Sequence, residues 1–138
     1  MPARFPYLPV VTGRSDASLM PLVPLELRFK DSAPVQAHGL LDSGATVNVL
    51  PYALGVRLGA VWEAQTTRVT LTGILAPQDA RALLVHARVS DLASVPLVFA
   101  WTRAENVPVL LGQVNFFEEF DVCFHRARRQ FELEPARK

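Results

Sequence analysis

Apolar and polar residues alternate along much of this chain with a period of two. Leu25, Leu27 and Phe29 interleave with Glu26, Arg28 and Lys30, the pattern of a strand with one face in a core. Asp31-Ser32-Ala33-Pro34 follows as a turn, and Val35 to Leu41 is the next strand. Residues 66 to 72 (Thr-Thr-Arg-Val-Thr-Leu-Thr) alternate again and are rich in β-branched side chains. Gly73 to Gln78, with Pro77 inside, predicts a hairpin tip, and Ala80 to Val89 the returning strand. Leu97 to Trp101 and Pro108 to Leu111 are short and nearly all apolar, as buried strands are. Asp121 to His125 and Gln130 to Leu133 close the chain as strands, with Arg126 to Arg129 between them.

Helical signals are brief. After Pro51, the spacing places Tyr52, Val56 and Leu58 on one face of a short helix, which Gly55 and Gly59 keep short. Asn115 to Phe120 is the second short helix. Many short strands and two short helices predict an all-β, barrel-like domain over residues 22–138. Residues 1–21 are rich in Pro, Ser and Gly and predict an extended or partly disordered arm. Proline lacks the N–H of a central strand, so this arm can pair only along a sheet edge.

Composition narrows the function. The 138 residues, half of them hydrophobic, suit one domain with a core that needs no staples. Fourteen basic and 13 acidic residues nearly cancel, so nothing calls for a nucleic-acid partner. The run His125-Arg126-Ala127-Arg128-Arg129 reads as a solvated hairpin turn. One cysteine, Cys123, excludes an internal disulfide framework, and its place between Val122 and Phe124 reads as a buried, inert thiol. His38, His86 and His125 lack metal-ligand spacing and read as surface or strand-face residues, so no metal or other cofactor is expected. Phe116, Phe117 and Phe120 read as core, and Trp62 and Trp101 as core or interface. The first eleven residues hold one Arg and three prolines and do not read as a signal peptide. No apolar run approaches the roughly 20 residues that cross a bilayer, so no membrane partner is expected and the chain reads as soluble and cytoplasmic.

The segment that carries chemistry is Leu40-Leu41-Asp42-Ser43-Gly44-Ala45-Thr46-Val47-Asn48-Val49-Leu50-Pro51. An Asp ends an apolar strand, and a hydroxyl residue, a Gly and a small residue follow it. Downstream, Val109-Leu110-Leu111-Gly112 precedes the second helix signal. In these residues and their order the chain resembles the retropepsin-like aspartic peptidases, over roughly residues 22 to 134. The resemblance implies a closed acid-protease barrel with one or two short helices. It implies that Asp42 is catalytic, that Ser43 braces the opposite loop across a dimer axis, and that Gly44 and Ala45 leave room for substrate. Gly73, Ile74 and Leu75 would belong to a flap over an extended polypeptide substrate.

The chemistry explains the motif. Hydrolysis of a peptide without a metal or covalent intermediate needs a base for the attacking water and an acid for the carbonyl oxygen. Two close carboxylates sharing one proton supply both, and they titrate as a pair. This chain has a single Asp-Ser-Gly, so a second copy must supply the partner, most simply in a C2 homodimer.

Three features depart from the retroviral pattern. Thr46 and Gln113 stand where an acidic residue and an Arg usually pair, so both halves of that ion pair are absent together. The flap segment carries one Gly and a Pro rather than several glycines. The termini do not resemble those that knit the viral dimer. The reading from another class is a catalytically weak or inactive retropepsin-fold module for dimerisation or peptide binding; a third is a protease limited to trimming its own arm.

Overall fold

A computed structural model of the chain describes residues 2–11, 17–71 and 78–137. In chain order its elements begin with β1 (Ala3–Pro6), β2 (Leu8–Val11), β3 (Ala17–Met20), β4 (Leu22–Arg28) and β5 (Val35–Leu41). Next come β6 (Asn48–Pro51), α1 (Tyr52–Arg57), β7 (Arg68–Leu71), β8 (Gln78–Arg88) and β9 (Val95–Thr102). The last are β10 (Val109–Leu111), α2 (Phe116–Glu119), β11 (Phe120–His125) and β12 (Gln130–Pro135).

Period-two patterning does what it predicts in β4, where Leu25 and Leu27 are buried, with Phe29 beyond the strand end buried as well. Leu83, Val85 and Ala87 do the same in β8. The hydrogen-bonded order β4-β5-β10-β6-β9-β8 returns to β4 through Glu26↔Arg88 and Leu27↔Ala87, which closes a barrel. Strand β7 pairs with the first residues of β8, from Arg68↔Arg81 to Leu71↔Gln78, on the same edge that β4 takes at the other end. Closure removes the free edges that an open sheet would present. An Arg88–Glu26 ion pair of 2.6 Å lies across the closing seam.

Strand β10 is the centre of the functional end. It runs parallel to β5 and antiparallel to β6, so it separates the strand that enters the Asp42 loop from the one that leaves it. The loop must therefore cross the end of β10. Terminal residues form a second sheet, β1-β12-β11, antiparallel throughout. Its Phe131 and Leu133 pack with Phe116 and Phe120 into the main core. The arm thus contributes an edge strand, as its prolines require.

Three expectations are corrected. Helix α1 buries Leu54 and Gly55, with Leu58 just past its end, while Tyr52 and Val56 are 37% and 49% exposed. Trp101 on β9 sets this orientation. Its Nε1 donates to Tyr52 O at 3.1 Å, and a Cβ at position 55 would fall within 2.2 Å of that nitrogen. Cys123 is exposed, not buried. It lies opposite Glu132, and Arg4 lies opposite Glu132 on the other side, so this is the polar face of the terminal sheet. Strand β9 is also less enclosed than its composition suggests, with Val98 half exposed opposite the exposed Leu84. Trp62, Trp101, Phe116 and Phe120 are buried as expected, and Phe117 packs against the core. No helix among the described residues is long and apolar enough to cross a membrane.

Candidate active site

Asp42 is the first residue beyond β5. Its N–H donates to Leu111 O at 3.0 Å, one further step of the β5–β10 pairing. Ala45 N donates to Asp42 O at 3.1 Å, which closes a four-residue turn with Ser43 and Gly44 at its centre. Within that turn the Gly44 N–H donates to Asp42 Oδ1 at 3.0 Å. A carboxylate that accepts a backbone N–H is held in one orientation. Asp42 and Ala45 are half-buried, and Ser43 and Gly44 are exposed. The carboxylate therefore has a rigid root and an open side.

The residues after β10 lace the loop along its length. Gln113 N donates to Ala45 O at 3.0 Å and Val114 N to Thr46 O at 2.8 Å. Gly112 sits where the two segments touch: a Cβ there would lie 2.6 Å from Val47 O and 2.9 Å from Ala45 O. Only glycine allows this approach. The two motifs singled out in the sequence, Asp42-Ser43-Gly44-Ala45 and Leu110-Leu111-Gly112, are thus brought into direct contact.

The missing Thr46/Gln113 ion pair has a neutral replacement. Gln113 Nε2 donates to Ser43 O at 2.6 Å. Beneath the loop lies a second brace that sequence reading missed. Asn48 is fully buried; its Oδ1 accepts from Gly112 N at 2.9 Å and its Nδ2 donates to Val98 O at 3.1 Å. Asn115 extends it across β9, its Oδ1 accepting from Val98 N at 3.0 Å and its Nδ2 donating to Pro96 O at 3.2 Å. The available signal was one amide residue inside the apolar run Val47 to Leu50. A polar group buried there has to be satisfied.

Aliphatic walls adjoin the loop. Val47 and Val114, bridged to each other, line an open hollow of about 160 Å³ together with Val69, Val98, Phe99 and Ala100. A small cluster separate from the main core joins Val49, Leu71, Ala80 and Ala100, with Leu110 packed against it. Gly73, Ile74 and Leu75 lie outside the described residues, which reach them from both sides through the antiparallel pair β7 and β8. Among the described residues no group of three or more His, Cys, Asp or Glu is arranged to hold a metal ion.

No protein-family model matches the chain, and no curated protein matches it. Among solved structures it is similar to the EIAV protease complexed with the inhibitor HBY-793. The TM-score is 0.55 at 14% sequence identity, covering 79% of this chain and 92% of that one. At that identity the likeness shows the fold: an all-β, retropepsin-like closed barrel with two short helices.

Proposed function

We propose that this chain is an aspartic endopeptidase that acts as a homodimer, with one Asp42 from each subunit forming a shared dyad. The observation that carries the reading is the placement of Asp42. It sits at the open end of a retroviral-protease-like barrel, rooted by Leu111 O and the Gly44 N–H, in the Asp-Ser-Gly turn that the resemblance assigns to catalysis.

In the proposed dimer the two carboxylates hold one proton and one water between them. The ionised Asp42 takes a proton from that water as its oxygen attacks the scissile carbonyl. The protonated Asp42 gives its proton to the carbonyl oxygen, which forms a neutral gem-diol. The Asp42 that took the water proton then gives it to the amide nitrogen while the other, now ionised, takes a proton from a gem-diol hydroxyl, so the C–N bond breaks into acid and amine and the dyad regains its single proton. In this reading Ser43, exposed beside Asp42, meets the opposite loop. Substrate would be an extended polypeptide, with aliphatic side chains favoured by the walls of Val47, Val69 and Leu110.

The test compares wild type with Asp42→Asn on a mixed peptide library from about pH 4 to 8, with sedimentation on both. The wild type is expected to cleave and the variant to lose roughly 10³-fold or more in kcat/KM while keeping its association state. Equal cleavage by both proteins would remove Asp42 from the mechanism. Two inert but dimeric proteins would instead support the binding-module reading.

A further inference from the structure

We propose that Gln113 is a positioning residue for the catalytic carboxylate, acting through one rotatable peptide unit of the loop. The inference rests on the peptidase reading above. The turn closed by Ala45 N and Asp42 O has the Ser43–Gly44 peptide as its middle unit. The C=O of Ser43 and the N–H of Gly44 are opposite ends of one rigid plane. Gln113 Nε2 holds the C=O end at 2.6 Å, and the N–H end holds Asp42 Oδ1 at 3.0 Å. Fixing one end aims the other.

The middle peptide of a β-turn is the part most free to move. Rotating it by about 180° converts type I into type II geometry, and a glycine at the third position removes the steric barrier to the flipped form. Gly44 occupies that position, and its φ lies outside the positive region the flipped turn requires. The backbone ties at Asp42 N, Gln113 N and Val114 N hold the ends of the loop, not this plane. Apart from the Asp42 carboxylate itself, only the Gln113 amide grips it among the described residues. A flip would point the Ser43 carbonyl toward the carboxylate and take the Gly44 N–H away. The grip also polarises the peptide, since a hydrogen bond accepted at C=O strengthens the bond donated at N–H. A neutral amide does this at any pH, where an acid–base pair would not.

The side chain of Gln113 is exposed, so replacing it leaves the core intact. Gln113→Leu removes the donor and is expected to lower kcat/KM roughly three- to tenfold, with the loss in kcat rather than KM. Its pH–rate profile lies below that of wild type across the range. Gln113→Glu separates geometry from mere bulk. Its carboxyl donates to Ser43 O when protonated, so activity stays near wild type at the acid end. Once ionised it can only accept and repels that carbonyl, so activity falls steeply toward neutral pH.

An amide-resolved NMR spectrum gives a readout that does not require turnover. The Gly44 amide proton moves upfield in Gln113→Leu and titrates with the new carboxyl in Gln113→Glu. An unchanged Gly44 resonance in both variants, or a Gln113→Leu profile that superimposes on wild type, overturns the proposal. A wild type that cleaves nothing, yet shows these Gly44 responses, upholds the positioning geometry and sinks the peptidase reading instead.

Discussion

Position 112 has room for one hydrogen. The nearest atoms to a Cβ there are the carbonyls of Val47 and Ala45, both backbone, and neither can swing aside as a side-chain tip would. Gly112→Ala is therefore expected to cost about 2–3 kcal/mol or more in denaturant unfolding, at the upper end of overpacking costs. It should also pull the Asp42 loop off β10, so activity would fall with stability. Asn48 fails differently. Asn48→Leu keeps similar bulk but strips the Gly112 N–H of its acceptor and leaves it buried and unpaired, for a loss of roughly 1–3 kcal/mol. Thr46 is the contrast. Its side chain is exposed and only its carbonyl holds the loop, so Thr46→Ala should stay within about 0.5 kcal/mol of wild type. A large loss there would mean that the side chain has taken over part of the missing ion pair.

At the level of elements, the strands were legible where a local pattern decides them. The alternation of Leu25, Leu27 and Phe29 needs no knowledge of the partner strand, only that one face is dry. The Asp42-Ser43-Gly44 turn was legible because Asp, Ser and Gly directly after an apolar strand are turn-forming residues. What stayed hidden was set by distant residues. The Gln113–Ser43 and Asn48–Gly112 bonds join residues 70 and 64 apart. Trp101 on β9 chooses the buried face of α1. Cys123 was misplaced because alternation says which residues share a face, and the register with Glu132 and Arg4 says which face is wet. The arm shows the same limit, since its prolines forbid a central strand without naming its partner. That partner is β12, against which Phe5 stacks on Phe131 at 5.5 Å and Arg4 pairs with Glu132 at 2.9 Å. Half-buried Phe5 should carry more of this docking than the exposed ion pair. Phe5→Ala is expected to lose about 1–2 kcal/mol and Arg4→Ala less than about 1 kcal/mol in the same unfolding assay. The reverse order would mean that β1 is held by charge rather than packing.

For the molecule as a whole, the terminal sheet decides how folding and activity are coupled. Strands β1, β12 and β11 find their hydrogen-bond partners within one chain, and Phe131 and Leu133 anchor them in that chain's own core. The terminal sheet is thus built within a single chain, whereas the proposed dyad needs two copies of Asp42. Separation of the dimer should abolish catalysis while leaving the barrel intact. On dilution, specific activity is expected to fall while far-ultraviolet circular dichroism and the thermal midpoint hold steady. Mixing makes the stoichiometry visible. When equal amounts of wild type and Asp42→Asn re-equilibrate, random pairing leaves about one quarter of the dimers with two intact carboxylates. Activity per total protein should drop to about that fraction, not to one half. One half would mean that each subunit works alone. Loss of circular dichroism in step with activity would mean that the partner chain completes the fold after all.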